Sequence, residues 1–266
     1  MRALGINLHA TKGLNTACEL DDENYLQKIA ALGFTHIFSG VFAAPRQAAV
    51  ADICSRLGLT YETLHAPFGH INDIWLDDDN GMLDELLHCI DHCVIAGAGI
   101  AVVHLSSGQT PPPITDAGRG RFTRLVEYAA KHNVKIAFEN QRMLANLAWA
   151  METFPRETAG FCWDCGHEAC FTPGRHYMPL FADRLICTHI HDNPARFNED
   201  FHMLPFDGAC DFDEITKSIR TSGYTGSLML EVSAGKTDLY ANDTPDTYLQ
   251  KAYDIAARLR QMVDSE

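Results

Sequence analysis

Positive charge is scarce in this chain: 21 Lys and Arg stand against 35 Asp and Glu, a formal net charge of −14 over 266 residues. A uniformly acidic surface repels nucleic acid phosphates, so a nucleic-acid partner would need a local basic groove or bound metals to overcome that field. Most of the acids read as solvated helix faces. Long apolar runs are missing too: none approaches the roughly 18 residues that suggest a membrane span. The start, "MRALGINLHATKG", has too short an apolar run for a secretory signal. The expected setting is the cytoplasm, with no membrane partner. A Gly-rich phosphate fingerprint, which an open doubly wound sheet would carry after its first strand, is absent from "GINLHATKG". No linker, low-complexity tract or composition break divides the chain. Cysteine is present at nine residues, an odd number and scattered, so free thiols are the default. Cys54, Cys162 and Cys187 sit inside apolar runs, where a thiol packs as a small hydrophobe.

What is there is a regular alternation. Short apolar runs read as strands: "ALGIN" near Ala3, "THIF" at Thr35, "LTYETLH" at Leu59, "GIAVVHL" at Gly99, "VKIAFEN" at Val134, "GFCWD" at Gly160, "LICTHIH" at Leu185 and "SLMLEV" at Ser227. Helical spacing fills segments between them. "DDENYLQKIAALG" opens with acids and stops at Gly33, and "APRQAAVADICSRLG" stops at Gly58, as capped helices do. "GMLDELLHCIDHCVIAGAG", "GRFTRLVEYAAKHN", "DFDEITKSIRTSG" and "TPDTYLQKAYDIAARLRQM" follow. Strands apolar on both faces and alternating with helices imply a buried parallel sheet. Eight such units predict an α/β fold, a single (β/α)8 TIM barrel domain over residues 1–266. "GQTPPPITDAGRG" at Gly108 reads as a rigid flap after the fourth strand.

The strand ends carry the chemistry. Strand three ends in His65, four in His104, five in Glu139, six in Asp164, seven in His189 and His191, and eight in Glu231. In a parallel barrel these ends converge on one mouth, where barrel active sites lie. A lone strand-end His is ordinarily a hydrogen-bonded structural residue. Glu139 after "KIAF" and Glu231 after "LML" are different, because a buried carboxylate needs a cation or a proton. Six strand ends agreeing outweighs coincidence. A mixed His and carboxylate set with no required thiolate suits zinc, manganese or cobalt, and magnesium less well.

"GFCWDCGH" holds both a C-x-x-C (Cys162, Cys165) and a D-x-x-H (Asp164, His167). Side chains alternate faces along a strand, so Cys162 shares a face with Asp164 while Cys165 lies past the strand end. A redox pair wants both sulfurs at one exposed turn, which leaves Asp164 and His167 as the working pair. "NEDFHMLPFDGACDF" adds Asp200 and His202 as a D-x-H pair, then Gly208 before a helix capped at Asp211. The plainer reading of that pair is an ordered loop whose Asp caps something.

Together "TLHAPF", "VVHLSSG", "IAFEN", "WDCGH", "THIHDN", "HMLPFDGACDF" and "LMLEVS" resemble, in order and in place, the xylose isomerase-like TIM barrel superfamily. Its members include sugar phosphate isomerases and epimerases and the endonuclease IV-type AP endonucleases. Resemblance to the epimerase branch implies one divalent metal on Glu139, Asp164, His189 and Glu231. It also implies that the two glutamates transfer protons through an enediolate and that His167 contacts substrate oxygens. Resemblance to the nuclease branch implies three zinc ions on His65, His104, Glu139, Asp164, His167, His189, Asp200, His202 and Glu231. The chain departs from that branch in two places. It has "ENQRMLANL" where the nuclease resembles "ENTAGQG", and "HIHD" where the nuclease has H-x-N-D. The favoured reading is a metal-dependent sugar or sugar-phosphate isomerase or epimerase with a divalent ion (Zn, Mn or Co; one, up to three). A small-molecule sugar is the partner, and a homo-oligomer is compatible with the fold. The alternative is an endonuclease IV-like trinuclear zinc phosphodiesterase. A metal-binding barrel without catalysis is the third reading, since fold alone does not give function. Arg142, Arg175 and Arg196 are candidates for holding a substrate phosphate, although each reads equally as a surface residue.

Overall fold

A computed structural model describes residues 1–14 and 20–265. Among them eight strands form one parallel sheet: β1 Leu4–Asn7, β2 His36–Gly40, β3 Thr60–His65, β4 Ile100–His104, β5 Lys135–Glu139, β6 Ala159–Asp164, β7 Leu185–His189 and β8 Leu228–Leu230. Their order is β7-β6-β5-β4-β3-β2-β1-β8. The sheet closes just past β7, where Ile190 bridges Leu230 in parallel. There Ile190 N donates to Met229 O at 2.8 Å and Glu231 N donates to Ile190 O at 3.0 Å. The protein is a (β/α)8 TIM barrel.

The helices start and stop where residue chemistry dictates. In α1 (Asp22–Leu32), Asp21 accepts from Asn24 N at the N-cap, and Gly33 ends the helix at φ 110, a conformation that costs a residue with a Cβ. Helix α2 (Ala44–Leu57) carries Pro45 in its first turn and ends at Gly58 with φ 70. Helices α3 (Met82–Ala96) and α4 (Asp116–Lys131) follow β3 and β4. Helices α5 (Leu144–Thr153), α6 (Cys165–Phe171) and α7 (Met178–Phe181) fill the connections after β5 and β6, which the sequence reading left unassigned. Helix α8 (Phe212–Thr221) is capped by Asp211 as expected. Helix α9 (Pro245–Asp264) opens with a capping box between Thr244 and Thr247. None of the described helices is long and apolar enough to cross a membrane.

Two expectations shift at their edges. The eighth strand is shorter than "SLMLEV", and Glu231 stands just past its end. The stretch read as a flap is irregular only over residues 105–115; Asp116 already begins α4, capped by Thr115. That irregular segment is tied down, with Ser107 N donating to Asn72 Oδ1 at 2.9 Å and Thr115 Oγ1 donating to Trp75 O at 2.6 Å.

The main core lies between the sheet and the helices. A small second core of Val102, Ala137, Cys162 and Cys187 fills the barrel interior. Each of these sits two residues before a strand-end side chain on β4 to β7, so side-chain alternation stacks the strand-end layer directly above them.

Candidate functional site

Strand register builds the site. His104 pairs with Glu139 across β4 and β5, and Asp164 with His189 across β6 and β7. His189 Nδ1 lies 2.8 Å from Glu139 Oε1 and 3.1 Å from Glu231 Oε2. A neutral imidazole has one N–H to give, so it cannot satisfy both carboxylates. The other Glu139 oxygen, Oε2, lies 2.5 Å from His104 Nε2 and 3.3 Å from His65 Nε2. Glu139, Asp164, His189 and Glu231 each bring a donor atom within 4.8 Å of the others, and so do His65, His104 and Glu139. Both sets are compact enough to hold a divalent ion.

A further set completes the mouth. His167, His191, Asp200 and His202 bring donor atoms within 4.8 Å of one another. His202 Nε2 lies 3.0 Å and His167 Nε2 3.8 Å from Asp200 Oδ2. The structure thus brings together all nine strand-end and loop residues singled out from the sequence. It adds His191, which the sequence reading noted but did not select. His191 Nε2 lies 3.0 Å from Asp164 Oδ1. The signal was available: His189 and His191 are two apart, and on extended chain that spacing places both on one face.

Unsatisfied atoms test whether these residues fit a cation. Among the buried side-chain atoms with no hydrogen-bond partner are His104 Nδ1, His189 Nε2, Asp200 Oδ1 and Glu231 Oε2. Unpaired buried polar atoms are costly, and a cation placed among the carboxylates relieves that cost for Asp200 and Glu231. The donor set, imidazole and carboxylate without thiolate, suits zinc, manganese or cobalt.

Charge is finely balanced in the metal-free protein. Burial works against ionising Glu139, but His104 and His189 overrule it and hold its carboxyl well below the usual range. Glu231 is likewise opposed by burial yet held low by His189 and His202. Asp200, part-buried, is opposed by desolvation but held low by the neighbouring His167 and His202 imidazoles. Burial disfavours a charged His167, but Asp164, Asp200 and Glu139 raise it to about 10. His65, His189 and His191 are raised against burial by neighbouring carboxylates. At His104 burial wins and lowers the pKa despite Glu139.

Above these residues opens a cavity of about 730 Å³, reached by His65, His104, His167, Asp200, His202 and Glu231. Phenylalanines sheathe the imidazoles. Phe38 stacks on His189 at 4.6 Å, Phe68 on His104 at 4.5 Å and Phe171 on His167 at 4.6 Å. The Gln141 amide spans His104 Nε2 (3.2 Å) and His167 Nδ1 (3.1 Å). Neither the phenylalanines nor Gln141 follows from strand-end spacing. Of the three arginines, only Arg142 lines this cavity. Its guanidinium sits 3.6 Å over Phe171 and donates to Asn198 Oδ1 at 3.0 Å. Arg175 lines a separate cavity beside α6 and α8, and exposed Arg196 pairs with Glu199. Lys236 is the cation that sequence reading missed; it lines the mouth with Nζ 3.6 Å from Asp200 Oδ2.

The C-x-x-C thiols are buried, Cys162 in the barrel interior and Cys165 at the start of α6. Burial pushes both thiols well above the ordinary range, the opposite of what a reactive dithiol needs.

Comparison with known proteins identifies the family and the fold. A family model described as "Xylose isomerase-like TIM barrel" matches residues 26–259. The uncharacterized protein y4fM of Sinorhizobium fredii is 34% identical over 151 residues, covering 54% of this chain and 47% of that protein. The chain therefore spans about half the length of the curated relative it matches. Among solved structures, the IOLI protein with a binding zinc atom superposes with a TM-score of 0.78 at 17% identity, covering 99% of this chain and 100% of that one. A xylose isomerase domain protein from Alicyclobacillus acidocaldarius gives 0.76 at 18% with full coverage of both chains. D-psicose 3-epimerase with D-tagatose, from Clostridium cellulolyticum H10, gives 0.76 at 12%, covering 99% and 100%. At such identities the likeness establishes the fold.

Proposed function

The chain belongs to the xylose isomerase-like TIM barrel family, and from that premise we propose that it is a divalent-metal-dependent isomerase or epimerase of a sugar or sugar phosphate. One observation carries the reading: two glutamates, the buried Glu139 and the part-buried Glu231, flank His189 Nδ1 at 2.8 and 3.1 Å beneath an open cavity. Glu139, Asp164, His189 and Glu231 would hold the ion, which supplies Lewis-acid polarisation of a substrate carbonyl. Structural neighbours described as sugar epimerases, and one described with bound zinc, support the assignment.

The two glutamates are not equivalent. Both oxygens of Glu139 are engaged, Oε1 with His189 and Oε2 with His104 and His65. Glu231 reaches the cavity and keeps Oε2 free of a hydrogen bond. Glu231 is therefore the base that takes the proton from the carbon beside the carbonyl, and Glu139 is the more restrained partner. Return of the proton on the opposite face gives an epimer; delivery to the neighbouring carbon gives an isomer. The stacked phenylalanines fix the planes of the imidazoles, and His167 lines the cavity beside the pair.

A second reading has its own observation. All nine residues expected of a trinuclear zinc phosphodiesterase converge at the mouth, in sets that share Glu139 or lie beside it. Clustered zinc ions would supply hydroxide and clamp a phosphodiester. The experiment that separates the two is turnover by protein reconstituted with zinc, manganese or cobalt. Ketoses and their phosphates should be converted, and both conversion and metal content should fall in Asp164→Ala. Metal-dependent cleavage of abasic DNA with no sugar converted would install the second reading instead.

A further inference from the structure

Arg142 stands between β5 and α5, and its part-buried side chain lines the cavity above the strand-end residues. Its guanidinium lies 3.6 Å over the Phe171 ring, which itself stacks on His167 at 4.6 Å. The group is thus held in one plane beside the donor cluster. Its Nε and Nη2 both donate to Asn198 Oδ1, at 3.3 and 3.0 Å. A neutral amide therefore occupies one edge of the fork. A guanidinium has five N–H donors, so the Nη1–Nη2 edge is left with two parallel N–H groups to give. The chain holds 35 acids, yet among the described residues no carboxylate pairs with Arg142. Burial pushes its pKa down, and Cys170 and Asp200 offset this only in part. Lys236, the other basic side chain lining the cavity, is already matched. Its Nζ lies 3.6 Å from Asp200 Oδ2 and donates to Asp200 O at 3.4 Å. Of the two, only the planar fork of Arg142 has no counter-charge.

We propose that Arg142 anchors a carboxylate of the substrate, so that the mouth takes an open-chain keto sugar acid in preference to a neutral ketose or a phosphate ester. A carboxylate accepts both N–H groups of the open edge in the bidentate geometry that a guanidinium favours. It brings a single negative charge, which one guanidinium balances. A phosphate ester brings about −1.5 to −2 at pH 7, and the surplus would face Asp200 and Glu231 across the same cavity. A neutral sugar would leave the part-buried charge uncompensated. The keto skeleton of this substrate rests on the isomerase reading above; the carboxylate anchor does not.

Calorimetry on the full chain in chelator tests the anchor without turnover, using ligands that share one polyol chain: D-gluconate, sorbitol and sorbitol 6-phosphate. Gluconate should bind at least about 10-fold tighter than either of the others. Arg142→Gln should weaken gluconate about 10–100-fold more than sorbitol, the contribution of a charge-assisted pair. Arg142→Lys keeps the charge without the fork and should restore only part of the preference. A residue that merely braces Asn198 would, when replaced, weaken all three ligands together. That result overturns the proposal, and so does gluconate binding no tighter than sorbitol or its phosphate. Turnover separates the anchor from the isomerase reading. Metal-loaded protein in heavy water is given ketohexoses, their 6-phosphates and the ketohexuronates of matching configuration. Exchange should run with kcat/KM at least about 10-fold higher for the ketohexuronates, and Arg142→Gln should erase that preference through KM. Exchange as fast with a ketohexose or its phosphate contradicts the anchor while the isomerase reading stands. No exchange with any sugar removes the isomerase reading, and the keto skeleton with it, while the calorimetry still decides the anchor.

Discussion

At the scale of the residue, the account rests on an asymmetry between two glutamates. Glu139 is pinned by His65, His104 and His189, while Glu231 borders the cavity. Glu139→Gln should therefore lose most bound metal, because an amide is a poor anionic ligand and three imidazoles lose their counter-charge. Glu231→Gln should keep a larger share of the metal and still lose turnover by about 10²–10⁴-fold, the usual contribution of a positioned base. Metal analysis beside kinetics checks both; equal metal loss in the two variants would remove the distinction. The imidazoles also set a pH dependence. His65, His167, His189 and His191 are raised above 6.5 in the metal-free protein, His167 to about 10. Their charged forms favour the metal-free fold, a contribution complete below 6.5 and lost as pH rises through each raised pKa, which for His167 is about 10. A metal needs the neutral ring, so binding must expel protons, and affinity should climb with pH from 6 toward 9. Calorimetry in buffers of different ionisation enthalpy would read that proton release; uptake that is pH-independent would contradict it. The nine donors were legible because a parallel barrel sends every strand end to one mouth. His191 was named at the end of the seventh strand but passed over because the ligand sets implied by the resemblance take only His189 from that strand. Gln141, Phe68 and Phe171 lie beyond the strands, on connections and in α6, where no spacing rule points inward.

At the scale of the element, chemistry and structure share residues. Asp164 closes β6, stands in the donor set, and also caps α6, accepting from His167 N at 2.6 Å. The cap fixes where His167 emerges. Asn keeps the capping function and Ala does not. In metal-free protein Asp164→Ala should therefore be about 1 kcal/mol less stable than Asp164→Asn, while both lose metal. Thermal unfolding in chelator measures the difference, and equal stabilities would mean the cap is idle. Helices α1, α2, α8 and α9 could be read from their caps and punctuating Gly or Pro. Helix α5, "LANLAWAMET", could not, because it is apolar almost all round and has no side-chain cap. Helix α6 begins inside the D-x-x-H motif itself, so its first turn read as ligand spacing rather than as a helix.

At the scale of the molecule, eight parallel strands close a barrel whose interior below the site is apolar and small-chained, with Val102, Ala137, Cys162 and Cys187. That floor leaves the polar layer above it no way out but the mouth. The net charge of −14 gives the molecule as a whole a field that disfavours nucleic acid phosphate. The fold was legible from βα alternation because buried parallel strands must be apolar on both faces. Barrel closure was legible only as a count of eight, since the bridge joins Leu230, at the end of β8, to Ile190, one residue past β7. The central claim is that Glu139 and Glu231 move a proton at the carbon beside a carbonyl. Its most direct test is incubation of metal-loaded protein with ketoses and ketose phosphates in heavy water, followed by NMR of the sugar. The account predicts deuterium at the carbon next to the carbonyl with the parent and none with a Glu231→Gln variant that retains its metal. Absence of exchange with every sugar, alongside zinc-dependent cleavage of abasic DNA that vanishes in Glu231→Gln, would contradict it.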